Sequence, residues 1–166
     1  MSTSPKVTST MPTNLGGRLR NMPLPLTSGL LPLFEAVVNS IHAIEEAGVS
    51  TNEGRIAITI LRKAKQGSLD LSDSKKKGPD ALEDIIGFRI VDNGIGFTDE
   101  NMLSFRTLDS EHKVQKGCRG IGRLLWLKAF KQVRVESVYR AAETSRRRTF
   151  SFTAVGGVAN EKDEQA

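Results

Sequence analysis

The stretch LFEAVVNSIHAI, residues 33–44, has the apolar spacing of a buried helix, yet Glu35, Asn39 and His42 interrupt it. At helical spacing these three fall within about 60° of one another, while Leu30, Leu33, Val37, Ile41 and Ile44 gather on the opposite side. One side is therefore suited to packing on a sheet, and the other presents a carboxylate, an amide and an imidazole. An amphipathic helix with a solvated polar face gives the same pattern. Against that reading, Val38 and Ala43 flank the polar stripe, and no Lys or Arg follows until after residue 46. The helix is expected to open near residues 28–30, to tolerate Pro32 in its first turn, and to stop at Gly48 after Ala47.

Working outward, RIAITILRK (55–63) alternates Ile56, Ile58 and Ile60 and predicts a half-buried strand. IIGFRIVD (85–92) predicts the next strand, running into the glycine turn DNGIG. Thr98 is a natural N-cap for a short helix over 98–108, with acidic residues in its first turn. IGRLLWLKAF (121–130) is helical, and QVRVESVY (132–139) and RRRTFSFTAV (146–155) alternate as strands that should pair. Residues 1–27 read as a flexible, irregular arm, 64–84 as a polar surface loop, and ANEKDEQA (159–166) as a polar tail. The order helix, strand, strand, helix, helix, strand, strand predicts an α+β two-layer sandwich over 28–158. Its mixed, mostly antiparallel sheet would carry helices on one face. It does not alternate as a Rossmann fold would.

Composition narrows the class. With 166 residues, 38% hydrophobic and 26% charged, the chain suits one soluble globular domain. No apolar run reaches the roughly 18 residues of a membrane span. The N-terminus lacks a signal-peptide h-region, and the lone Cys118 excludes an internal disulfide, so a cytoplasmic setting is expected. A net charge of +5 indicates mild attraction to polyanions, which a merely solvated surface also produces.

Two further stretches bear on chemistry. In VDNGIGF (91–97), Asp92 at a strand end offers an acceptor for a ligand amino group, and Gly94 and Gly96 remove side chains where a ring must approach the backbone. Asp-Asn-Gly is also a common turn. In KGCRGIGRLL (116–125), Gly117, Gly120 and Gly122 precede a helix, whose free N–H groups and dipole favour an anion, and Lys116, Arg119 and Arg123 add positive charge. No strand precedes this loop, so it is neither a Walker A loop nor a dinucleotide fingerprint, and a plain connector would look alike.

Taken together and in this order, Glu35 and Asn39 (E-x-x-x-N), Asp92, Gly94 and Gly96 (D-x-G-x-G) and the glycines at 117, 120 and 122 resemble the GHKL ATPase superfamily. That group includes type II topoisomerase ATPase domains, the large heat-shock chaperone, sensor histidine kinases and MutL-type repair proteins. The resemblance spans roughly residues 28–155 and implies a Bergerat fold that binds and hydrolyses ATP with Mg²⁺. It implies that Asn39 holds Mg²⁺, that Asp92 accepts the adenine amino group, and that Glu35 is the general base. It also implies a lid over 108–120 in which Lys116, Gly117, Arg119, Gly120, Ile121 and Gly122 cradle phosphates. Nucleotide-driven pairing of two copies, helped by the N-terminal arm, belongs to the same expectation.

Two departures stand out. Many members place Asp three residues after the Asn, where this chain has His42. The late-strand Thr that helps bind adenine has only Thr149 and Thr153 as candidates, neither in a Gly-Thr setting. The family's last strand is therefore expected to be missing, as in an N-terminal piece of a longer protein. A histidine-kinase-type domain is an alternative, but such domains generally lack the Glu four residues before the Asn. A nucleic-acid-associated module is another, resting on Lys75–Lys77 and Arg146–Arg148, which lack aromatic interleaving.

Overall fold

The computed structural model describes residues 14–64, 83–107 and 122–166. Most of the expected loop at 64–84, the whole expected lid at 108–120 and residues 1–13 of the expected arm at 1–27 lie outside those residues. The chain divides into two units, one formed by residues 33–96 and the other by residues up to Pro32 together with 97–166.

The first unit holds helix α2 (Leu31–Glu46) and a two-stranded antiparallel sheet of β1 (Ile56–Arg62) and β2 (Ile85–Asp92), linked by a bond from Ser40 to Asp92 at the end of β2. The helix ends as the glycine predicted. Gly48 sits at φ +67°, its N–H donates to the Glu45 carbonyl at 3.0 Å, and Val49 N–H reaches back to Ile44 at 3.3 Å. That pair of bonds satisfies carbonyls the last turn would leave orphaned. Across the sheet Ile56 pairs with Asp92, Ile58 with Ile90 and Ile60 with Phe88, so these six side chains share one face. Asp92 thus stands at the end of an otherwise apolar row.

In the second unit, β3 (Gln132–Ala141), β4 (Thr144–Thr153) and β5 (Gly157–Gln165) form a separate antiparallel sheet. Val133, Phe152 and Val158 lie opposite one another across its three strands. Helices α1 (Leu15–Asn21), α3 (Asp99–Arg106) and α4 (Gly122–Ala129) belong to this unit. Leu19, Leu124, Leu127 and Phe152 form its buried core, with Phe105 and Trp126 packed against it. Phe105 makes edge contacts with Phe97 and Phe152 at 5.4 and 5.1 Å and lies nearly parallel to Trp126.

The α+β class and the antiparallel pairing follow the sequence reading, while the described strands form two hydrogen-bonded sheets where one was expected. Two local expectations fail. Residues 15–21, read as part of an irregular arm, are helix α1, because the Asn14 side chain caps Gly17 N at 3.0 Å and Leu19 is buried in the core. Packing here outweighs the helix-weakening of Gly16 and Gly17. The supposed polar tail at 159–166 belongs to β5, held at the sheet edge by carboxylates that pair with arginines. A bulge interrupts its pairing with β4 between Thr149 and Ser151, and Asn160 there takes φ +54°.

Candidate functional site

Helix α2 carries Glu35, Asn39 and His42 on one side, as its spacing requires. Glu35 and His42 are half-buried and Asn39 is exposed. The packed side is rotated from the one expected. Leu33 and Val37 are half-buried and Ile44 is buried, but Ile41 is 43% exposed and Leu30 51% exposed. The position that turns inward is Ser40, 6% exposed, whose hydroxyl donates to Asp92 Oδ2 at 2.7 Å. A hydroxyl facing a sheet carboxylate draws the helix round by part of a turn, which leaves Phe34, Val38 and Ile41 outward.

The D-x-G-x-G turn lies against this same helix. Ile95 N–H donates to the Ala43 carbonyl at 2.9 Å. A side chain on Gly94 would meet Ala43 C and Cβ at 2.6 Å and Ile44 N at 2.8 Å, all of them rigid helix atoms. Glycine is thus dictated at 94 by close packing of turn on helix. At 96 it suits φ +77°. Asp92 Oδ1 accepts the Gly94 N–H at 3.0 Å, so one carboxylate closes the turn through one oxygen and ties it to α2 through the other. Asn93 anchors the entrance, accepting from Arg55 N–H at 2.7 Å and donating to the Glu53 carbonyl at 2.9 Å. Asp92 stays exposed, and each of its oxygens keeps a lone pair for an incoming donor.

The chain leaves the turn at Phe97, in the second unit. There Phe97 N–H donates to Ser137 Oγ at 2.8 Å. Arg148, only 3% exposed, donates to the Phe97 carbonyl at 3.0 Å, the Thr98 carbonyl at 3.1 Å, Asp99 Oδ1 at 2.5 Å and the Tyr139 hydroxyl at 2.8 Å. It also pairs with Asp163 on β5. Burial opposes the charge on Arg148, but Asp99 and Asp163 more than offset it, and its pKa moves further up. Burial also raises the carboxyl of Asp163, yet the Tyr139 hydroxyl, Arg148 and Arg146 together hold it well below the usual carboxylate range. Tyr139 is raised by burial and by its bond to Asp163.

Thus five of the predicted site residues, Glu35, Asn39, Asp92, Gly94 and Gly96, belong to one unit. Gly122 begins α4 in the other, close to the expected helix start. Lys116, Gly117, Arg119, Gly120 and Ile121 lie outside the described residues. Thr149 and Thr153 are on β4, and Thr153 Oγ1 caps the following turn by accepting from Gly156 N–H at 3.0 Å. The reading of the sequence missed Ser40 and Ser137, and it took Arg148 only as part of a basic run, whereas the side chain is buried and paired. The signal for Ser40 was present: a hydroxyl standing on the apolar side between Val37 and Ile44.

No protein-family model, curated protein or solved structure matches this chain. Among the described residues no single helix is long and apolar enough to cross a membrane.

Proposed function

We propose that this chain is an ATP-binding and hydrolysing module of the GHKL type, with its adenine site where the 92–96 turn meets α2. One observation carries the reading. The Ser40–Asp92 and Ile95–Ala43 bonds set the D-x-G-x-G turn against the very helix that bears E-x-x-x-N, although the two motifs lie some fifty residues apart.

Each residue then has work suited to its chemistry. Asp92 accepts the adenine amino group with an exposed carboxylate already oriented by Ser40 and Gly94. Glu35, one helical turn before Asn39, takes a proton from the attacking water and holds that water in line. The donor set fits a magnesium ion arriving with its nucleotide. Asn39 presents an exposed amide oxygen with no hydrogen-bond partner among the described residues. Mg²⁺ takes one or two protein oxygens beside phosphate oxygens and water. When bound, the ion neutralises charge on the phosphates. The Bergerat layering, the lid formed by Lys116, Gly117, Arg119, Gly120, Ile121 and Gly122, and nucleotide-dependent pairing of two copies belong to the same proposal.

The test is equilibrium binding of ATP with Mg²⁺, together with phosphate release. Asp92→Asn, which replaces an acceptor oxygen by a donor, is expected to weaken binding about tenfold or more. Glu35→Ala is expected to cut turnover by roughly 10²–10⁴ while leaving binding near wild type. Wild-type affinity in Asp92→Asn would refute the adenine assignment.

A further inference from the structure

We propose that the second unit carries a binding site for a small molecule with an apolar body and a single carboxylate, the chemistry of a medium-chain fatty acid. The site is a cavity among α1, α3, α4 and the β4–β5 pair. It lies wholly within that unit and does not depend on the nucleotide reading.

The cavity measures about 370 Å³. Leu15, Phe105, Phe152 and Val158 line it with apolar surface, and Arg106 and Arg123 stand beside them. At roughly 30 Å³ for each non-hydrogen atom it has room for about a dozen. An apolar lining of this size with a few convergent polar groups is the usual build of a small-molecule site. Phe105 and Phe152 hold one another edge-on at 5.1 Å, so the lining is formed before any ligand arrives.

Charge decides which small molecule fits. Arg106 is exposed and pairs with Glu161. The Arg123 guanidinium lies over the Phe105 ring, 5.3 Å from its centroid, and donates to the Thr107 carbonyl at 2.6 Å. Two cations thus stand at the mouth against the one carboxylate of Glu161, and a guanidinium presents a fork of donors matched to a carboxylate. The placement of Arg123 points the same way. It occupies the first turn of α4, where the dipole disfavours a cation and no acidic residue of that turn offsets it. An anion at the mouth is attracted by the arginine and by the helix start together. A neutral apolar ligand would leave both cations unused, and a bare anion would leave the aromatic lining wet.

The experiment titrates the full chain with octanoate, octanol and acetate, reading Kd from the ligand resonances by NMR. The octanoate series is repeated on Arg106→Gln and Arg123→Gln, with thermal midpoints to establish which variants fold. Octanoate is expected to bind saturably, with Kd between about 10 μM and 1 mM for a ligand of its size. Octanol keeps the body without the charge and acetate the charge without the body, so each is expected to bind at least about tenfold more weakly. Each arginine substitution is expected to raise the octanoate Kd about three- to tenfold. Arg106 is at the surface, so its replacement leaves the core untouched and decides the matter if Arg123→Gln does not fold. The proposal is overturned by the absence of saturable octanoate binding below about 10 mM. Octanol or acetate binding as tightly as octanoate, or octanoate affinity unchanged in every variant that folds, would overturn it equally.

Discussion

At position 94 the absence of a side chain is a packing requirement before it is anything else. Alanine there would drive its Cβ to 2.6 Å from helix backbone that cannot yield. Gly94→Ala is therefore expected to destabilise by at least about 1–3 kcal/mol, seen as a lower urea midpoint with unchanged slope. Ser40→Ala is milder: it removes one hydrogen bond to a carboxylate that water can still reach, for about 0.5–1.5 kcal/mol. The two substitutions separate roles that the sequence joins. The D-x-G-x-G pattern was legible because its acid and glycines are fixed in spacing, but the reason for Gly94 was not. Spacing records which residues recur and says nothing about which neighbour excludes a methyl group. The roles of Ser40 and Arg148 were illegible on related grounds, since each is defined by a partner distant in sequence, Asp92 in one case and Phe97–Asp99 in the other.

Among elements, those that alternate or repeat apolar residues were readable, and those held by other means were not. β3, β4 and α2 to α4 fall close to their expected bounds because each buries a periodic face; β1 is a strand as expected, but Ile58 and Ile60, expected to be half-buried, are 47% and 49% exposed. Helix α1 has two glycines in its first turn and only a few apolar residues, so its existence depends on the Asn14 cap and the α4 core. Asn14→Ala should cost about 0.5–2 kcal/mol and should speed amide exchange within residues 15–21. β5 is hidden more thoroughly. From Asn160 onward its residues are polar on both sides, because the inward side there presents acids to arginines: Glu161 to Arg106, and Asp163 to Arg146 and Arg148. Hydrophobic periodicity cannot register a strand whose inward groups are carboxylates. Asp163→Asn leaves Arg148 with less neutralisation and is expected to destabilise by roughly 1–3 kcal/mol, a partial form of breaking a buried pair.

For the molecule as a whole, that same carboxylate sets a dependence on acidity. Asp163 in the folded protein ionises well below the ordinary aspartate value of about 3.9, so between the two values the unfolded chain holds a proton that the native chain does not. Its contribution is complete above the unfolded value and drains away as pH falls through this window. Denaturation midpoints measured from pH 5 downward should therefore fall less steeply in Asp163→Asn than in wild type. A deeper consequence lies in the bulge at Asn160. On one side of it Ser151 pairs with Ala159, and on the other Thr149 pairs with Lys162 and Arg148 with Asp163. Were the strand in uninterrupted phase from Ser151, the residue opposite Arg148 would be Lys162. One surplus residue thus reverses the sign of the charge that greets a buried cation, and the closing strand is encoded as much by counting as by chemistry. Length changes in the short stretch between Ala159 and Lys162 should accordingly be far less tolerated than substitutions there.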